Sequence, residues 1–137
     1  MDNKKKPSKK KTMLVIDDDS LVLESCRRIF IDEGYQVSTA DNPTEGLALA
    51  SKSTYDVILC DWRMPTMNGL DVVEILDKHH HDSAIIMITG FPALERAINA
   101  FKRGVIDYIS KPFTPDEIIN VVNEALTRKK QKKTMEP

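Results

Sequence analysis

Short segments with the pattern of β-strands alternate with amphipathic segments along most of the chain. The strand-like segments are apolar runs or alternate between apolar and polar residues, and they lie at 13–16, 35–39, 56–60, 84–88 and 105–109. Between them, apolar side chains recur at intervals of three and four residues, as in helices that bury one face. The first of these helices carries Val22, Cys26, Ile29 and Phe30, and we expect it to end at Gly34.

Local signals mark where the other helices begin and end. Asn42 and Thr114 are capping residues, and each is followed by a proline suited to the first helical position. Pro92 begins a further predicted helix, which ends at Gly104. Largely apolar strands separated by amphipathic helices form a parallel sheet covered on both faces. Right-handed crossovers then give a doubly wound, five-stranded α/β fold in a single domain.

Charge is distributed unevenly over the 137 residues. Residues 12–127 contain 9 of the 20 basic and 19 of the 21 acidic residues, although the net charge of the whole chain is only −1. We expect residues 1–11 to be a basic, disordered lead, residues 12–128 the folded domain, and residues 129–137 a basic tail or the remnant of a linker. An acidic body with basic ends argues against a nucleic-acid-binding core.

Cysteine usage and hydropathy indicate a cytoplasmic protein. Cys26 and Cys60 lie in apolar patterns with no CxxC pair, so we expect two buried, reduced thiols. Only the four apolar residues 13–16 separate the basic lead from three aspartates, which is too few for a signal peptide or a membrane span.

Polar side chains follow four of the five predicted strands. Asp17 and Asp18 follow the first, Asp61 the third, Thr89 the fourth and Lys111 the fifth. One such residue is ordinarily a turn or helix cap, and Asp19 is expected to be one. The carboxyl ends of parallel strands meet at one edge of the sheet, where ligands of such folds bind. We therefore expect these side chains to meet at that edge.

The chemistry of this set suits a metal ion and a phosphoryl group. Carboxylates held close together repel unless a proton or a cation joins them, and oxygen ligands without histidine or cysteine favour Mg²⁺ or a similar ion. An ionised carboxylate can attack phosphorus to form an acyl phosphate. The Thr89 hydroxyl and the Lys111 ammonium could both bind phosphoryl oxygens.

Five motifs together resemble those of a response-regulator receiver domain over residues 12–128. They are IDDD at 16–19, DWRMP at 61–65, NG at 68–69, ITG at 88–90 and DYISKPF at 107–113. The resemblance implies the flavodoxin-like strand order 2-1-3-4-5, for which a chemotaxis receiver is a standard example.

The resemblance also implies a role for each site residue. Asp61 would accept the phosphoryl group, and Asp17 and Asp18 would hold Mg²⁺ with Asp61, Asp18 being the more direct ligand. The backbone carbonyl of Arg63 would complete the metal site.

Three further positions would bind the phosphoryl group and transmit its presence. Thr89 and Lys111 would contact its oxygens, and Thr89 with Tyr108 would form the switch.

The function implied is a phosphorylation-dependent signalling switch of a two-component system. A histidine kinase or phosphotransfer protein would donate the phosphoryl group, and the face beside Tyr108 would bind a downstream protein or an output domain. Such a receiver is not an enzyme in its own right, because it assists only its own phosphoryl transfer and dephosphorylation. The resemblance allows a phosphorylation-dependent dimer, and it gives no reason to expect membrane or nucleic-acid binding.

Two alternatives remain open from the sequence. A haloacid-dehalogenase-type phosphatase would use Asp17 as its nucleophile. Against this interpretation, the sequence shows no second acidic cluster and no cap domain, and the interpretation gives Asp61 no role. A pseudo-receiver would bind partners without phosphorylation, although every expected site residue is present.

Overall fold

The computed structural model describes residues 10–79, 82–91, 93 and 105–135. Five strands and four helices are found in this part of the chain. They are β1 Thr12–Ile16, α1 Ser20–Asp32, β2 Gln36–Ala40, α2 Pro43–Lys52, β3 Val57–Asp61, α3 Gly69–His79, β4 Ala84–Thr89, β5 Val105–Ser110 and α4 Pro115–Met135. The helix predicted between Pro92 and Gly104 lies outside the described residues apart from Ala93.

The five strands form one parallel sheet in the order β2-β1-β3-β4-β5. Both the predicted doubly wound fold and its strand order are confirmed. The strand bounds differ from the predicted ones by at most one residue at each end. Tyr35, for example, precedes β2 and packs edge-on against Phe30, with 5.3 Å between the ring centroids.

Two apolar layers cover the sheet, one on each face. On the α1/α4 face, strand residues including Val15, Leu59, Ile86 and Ile109 pack against Phe30 and Val122. On the α2/α3 face, strand residues including Leu14, Ile58, Cys60 and Met87 pack against Ala50 and Leu76. The central strands β1, β3 and β4 are buried almost throughout, as their continuous apolar runs require. Each fully buried Leu, Ile or Val stabilises the fold by about 1.5–3 kcal/mol.

The predicted helix signals are present as hydrogen bonds. The Asp19 and Asn42 side chains accept backbone N–H bonds at the starts of α1 and α2. Thr114 and Glu117 exchange side-chain-to-backbone bonds of 3.2 and 2.8 Å before α4, forming a capping box. Beyond α1, Gly34 adopts a φ of 90°, which favours glycine.

The last helix extends beyond the end of the domain that the sequence predicts. α4 continues through residues 129–135, beyond the predicted boundary at residue 128. The division into lead, domain and tail stays a prediction. No helix among the described residues is both long enough and apolar enough to cross a membrane.

Candidate functional site

The site is built around Asp61, the last residue of β3. The strand lies in the middle of the sheet, and Asp61 stands opposite Ile88 of β4. The next residue, Trp62, donates its N–H to the Ile88 carbonyl at 2.9 Å, so the backbone stays anchored just past the acid. The Asp61 side chain is therefore held at the carboxyl edge of the sheet, where it is only 5% exposed.

Side-chain alternation brings charged residues of three strands to the same face. Asp17 lies two residues after Val15, Asp61 two after Leu59, and Lys111 two after Ile109, and these three apolar residues all pack on the α1/α4 face. Because side chains in strands repeat every two residues, the three charged groups emerge above that face. Their convergence follows directly from the strand pattern.

The carboxylates of Asp17, Asp18 and Asp61 form one cluster. Each offers an oxygen, and these oxygens all lie within 4.8 Å of one another. Asp17 is fully buried, and its Oδ1 accepts the N–H of Asp19 at 2.8 Å, while Asp18 is exposed. The sequence prediction that these acids meet is confirmed in the geometry, although their roles stay predictions.

Lys111 bridges two of the acids. Its Nζ lies 3.1 Å from Asp17 Oδ2 and 3.3 Å from Asp61 Oδ1. Its backbone N–H donates to the Thr89 carbonyl at 2.7 Å, and a cis peptide bond joins it to Pro112. Among the described residues, the three carboxylates of the cluster thus outnumber the ammonium that pairs with two of them, which leaves an excess of negative charge.

The pKa values of these groups reflect that excess. Burial, and then the Asp17 carboxylate, raise the pKa of Asp61 from its ordinary 3.8 to about 7, against the opposing effect of Lys111. Burial also raises the pKa of Asp17. Burial lowers the pKa of Lys111, but the two carboxylates outweigh it and the net pKa is raised. With protein groups alone, Asp61 holds a proton for part of the time at neutral pH.

The cluster fits a hard divalent cation. Asp17 Oδ2 is buried and accepts no well-oriented hydrogen bond from the described residues, although the Lys111 ammonium is near. Cys60 is the nearest thiol in sequence, but burial raises its pKa, so it remains protonated and a poor ligand. Cys26 is likewise buried, with its pKa raised to about 12. Carboxylate oxygens without a competing thiolate suit Mg²⁺ or a similar ion.

Thr89 ends β4, next to the end of β3, and is buried. Its hydroxyl accepts the N–H of Phe91 at 3.0 Å. At Gly90 an added Cβ would meet nothing within 4 Å, so the backbone there is open on that side. The Thr89 hydroxyl therefore lies at the predicted edge, and its binding of a phosphoryl group stays a prediction.

Tyr108 lies on β5 and shares a sheet face with Thr89. It stands opposite Met87, and Thr89 stands opposite Ser110 two positions further along the same pair of strands. Tyr108 is half-buried against the α2/α3 face. The two side chains thus lie on one face of the sheet, and their role as a switch pair stays a prediction.

The loop after Asp61 depends on a glycine whose role the sequence analysis did not identify. Gly69 is buried and donates its N–H to the Trp62 carbonyl at 2.7 Å. An added Cβ would collide with the backbone carbonyl of Asp61 and lie 2.7 Å from Met87 Cε. Asn68-Gly69 is a pair typical of turns, and this pair together with Pro65 is the only feature of the sequence that could have indicated such a close approach.

The Arg63 side chain lies over the ring of Phe91. It is exposed, and its guanidinium carbon lies 6.0 Å from the centroid of the Phe91 ring. The role of its backbone carbonyl as a metal ligand stays a prediction.

Comparisons with known proteins identify the class to which this fold and site belong. Residues 13–123 match the family model described as the response regulator receiver domain. The chain is 34% identical to a response regulator receiver domain protein of Clostridium thermocellum, with a TM-score of 0.78 over 88% of this chain and 98% of that one. A CheY-like receiver domain protein of Methanospirillum hungatei JF-1 is 31% identical, with a TM-score of 0.83 over 90% and 99%.

A curated relative extends the similarity to a longer protein. The response regulator SaeR of Staphylococcus aureus strain USA300 is 33% identical over 119 residues, which cover 87% of this chain and 52% of SaeR. The chain thus spans about half the length of the curated relatives it matches. It belongs to the response regulator receiver family. The phosphatase alternative with Asp17 as nucleophile is not supported by any of these similarities.

Replacing Asp61 with Asn should stabilise the metal-free protein at pH 8. The folded pKa of about 7 lies above the ordinary 3.8, so ionisation of Asp61 costs stability as pH rises between these values. We expect Asp61→Asn to raise the free energy of unfolding at pH 8 by on the order of 2 kcal/mol, and by much less at pH 5. Urea unfolding in a chelator measures both.

The exposed Asp32, at the end of α1, provides the control. Asp32→Asn should change the free energy of unfolding by less than about 0.5 kcal/mol at either pH. Equal stability of wild type and Asp61→Asn at pH 8 would contradict the raised pKa.

Replacing Gly69 with Ala should destabilise the protein, because the new methyl group meets backbone that cannot move freely. We expect a loss of about 1–3 kcal/mol in the free energy of unfolding, as for other overpacked sites. Gly90→Ala is the matched control, since open space surrounds that position, and it should behave as wild type in the same urea titration. Two variants of equal stability would show that the loop accommodates a side chain at residue 69.

Proposed function

We propose that this chain is a phosphorylation-dependent switch of a two-component system and that Asp61 accepts the phosphoryl group. The observation that carries the proposal is the convergence of Asp61, Asp17 and Lys111 above one face of the sheet, with Lys111 Nζ 3.3 Å from an Asp61 oxygen. Membership of the receiver family supports the same conclusion. The donor would be a histidine kinase or phosphotransfer protein, in the cytoplasm.

The transfer itself is a displacement at phosphorus. A carboxylate oxygen of Asp61 attacks the phosphorus of a phosphohistidine, and the new P–O bond forms as the P–N bond breaks. The electron pair of that bond stays on the imidazole nitrogen, which takes up a proton. The product is a mixed anhydride on Asp61. The protein contributes position and charge compensation, which are what phosphoryl transfer chiefly needs.

The acidic cluster would hold Mg²⁺ through Asp17, Asp18, Asp61 and the backbone carbonyl of Arg63. The ion would neutralise charge on the carboxylates and on the incoming phosphoryl oxygens. The Lys111 ammonium already lies beside the acceptor oxygen, so a small movement would let it donate to a phosphoryl oxygen. It would then exchange part of its pairing with Asp17 for pairing with the new dianion.

The signal would arise from Thr89 and Tyr108. The Thr89 hydroxyl, which now accepts the Phe91 N–H, would turn to donate to a phosphoryl oxygen. This would vacate space on the α2/α3 face, which Tyr108 shares, and the tyrosine ring would turn inward to fill it. Phosphorylation thereby favours a second packing of the same side chains.

The altered surface beside Tyr108 would bind a downstream protein or an output domain. The first curated relative, SaeR, has nearly half its length outside the matched region, which is compatible with the latter. A dimer that forms on phosphorylation would use the same surface.

The acceptor can be tested directly with a small phosphodonor. We expect acetyl phosphate with Mg²⁺ to add one phosphoryl group to Asp61, as mapped by peptide mass spectrometry. Chelation of the metal, or Asp61→Asn, should abolish the modification. Asp71→Asn, which alters an exposed acid in the first turn of α3, should leave it intact. Modification of Asp17 with continuous turnover would instead favour a phosphatase.

The Thr89–Tyr108 switch can be separated from acceptance of the phosphoryl group. In Thr89→Ala, Asp61 should still be phosphorylated, because the nucleophile, the acidic cluster and Lys111 remain. The NMR signals of the Tyr108 ring should no longer shift on phosphorylation, because the hydroxyl that links the two sites is gone. Ser at position 89 keeps the hydroxyl and should retain the shift. A normal Tyr108 response in Thr89→Ala would refute the coupling.

A further inference from the structure

An ion pair joins the edge strand β5 to the last helix. Arg128 Nη2 of α4 makes a short, charge-assisted hydrogen bond to Asp107 Oδ2 of β5, 21 residues away in sequence. The Asp107 side chain is only 20% exposed, whereas that of Arg128 is 47% exposed. The carboxylate is therefore largely removed from solvent, and the pair is less solvated than an ordinary surface ion pair.

The same carboxylate also holds the backbone of the residue assigned to the switch. Asp107 Oδ1 accepts the N–H of Tyr108 at 2.8 Å. One side chain thus binds the Tyr108 main chain through one oxygen and α4 through the other. The two bonds therefore share one carboxylate, which links the backbone at Tyr108 to α4.

A β-bulge explains why Asp107 points to α4. Ile85 stands opposite Val105 and Ile86 opposite Asp107, so Ile106 is an extra residue in β5. Bulges change the direction of the side chains that follow them. Ile106 packs on the α1/α4 face, and Asp107, two residues before Ile109, emerges on that same face, while Tyr108 points to the other.

The pair lies where α4 leaves the apolar core. Val122 and Ala125 are buried, and Leu126 packs on the same core. Arg128 follows within a turn, and the helix continues for seven more residues to Met135, about 10 Å further at 1.5 Å per residue. The pair therefore joins β5 to α4 directly before the basic end of the helix.

We propose that the Asp107–Arg128 pair is a tether through which the state of Tyr108 controls the end of α4, residues 129–135. This inference rests on the proposed switch function. In the unphosphorylated protein the tether is intact and the helix end is held. When phosphorylation turns Tyr108 inward, the backbone at 107–108 shifts, the tether is lost and residues 129–135 loosen. The basic end of α4 then carries the signal.

Hydrogen exchange of the full chain tests the tether. Amides of residues 129–135 should exchange several-fold faster in Asp107→Asn and in Arg128→Gln than in wild type, without phosphorylation. Acetyl phosphate with Mg²⁺ should accelerate them in wild type and add nothing in either variant. The charge-swapped double variant Asp107→Arg with Arg128→Asp should restore slow exchange through the re-formed ion pair, but not the response to phosphorylation, because a guanidinium cannot accept the Tyr108 N–H.

The exposed Glu24–Arg28 pair of α1, at 3.3 Å, gives the matched control. Arg28→Gln removes a surface ion pair without touching β5, so residues 129–135 should exchange as in wild type. Asp61 phosphorylation is measured by mass in the same samples, which separates the two proposals. Failure of Asp61 to accept a phosphoryl group would overturn the proposed function. The exchange rates of residues 129–135 in the unphosphorylated variants would still decide whether the tether exists.

Three results would overturn the tether. The first is unchanged exchange of residues 129–135 in the unphosphorylated single variants. The second is a phosphorylated wild type whose helix end does not loosen. The third is an effect of the variants that appears only at high protein concentration, because the pair would then act between two copies of the chain.

Discussion

The carboxylates held at one edge of the sheet repel one another, and the rest of the site depends on how that repulsion is offset. Asp17 and Asp61 are buried side by side, and a single ammonium, that of Lys111, lies between them. Burial and like charge together raise the pKa of Asp61 to about 7. The protein therefore holds an excess of negative charge in a rigid place, which a proton or a divalent cation can offset.

Such a cluster persists only because the scaffold beneath it cannot relax. The strands that carry the acids are buried on both faces. Two hydrogen bonds anchor the backbone just past the strand ends: Asp17 N–H donates to the Ala40 carbonyl, and Trp62 N–H donates to the Ile88 carbonyl. Gly69 closes the following loop directly against the Asp61 carbonyl. Apolar packing on both sides of the sheet thus offsets the electrostatic cost of burying these carboxylates.

The two faces of the sheet serve different parts of the proposed switch. Asp17, Asp61 and Lys111 stand above the α1/α4 face, whereas Tyr108 packs on the α2/α3 face, which it shares with Thr89. Thr89, at the end of β4, is therefore suited to connect the acceptor with Tyr108. The bulge in β5 places Asp107, the residue before Tyr108, on the α1/α4 face, where it pairs with Arg128 of α4.

The sequence by itself determined the alternation of strands and helices, the helix caps and the strand-end positions of the site residues, because these depend on periodicities and on contacts within a few residues. Motif resemblance added the strand order. Only the tertiary structure decided that Lys111 pairs with both acids, that Gly69 abuts Asp61, and that Asp107 reaches Arg128 across a bulge. Those contacts join residues distant in sequence, and their geometry depends on strand register and loop closure, for which the local pattern of side chains carries no signal.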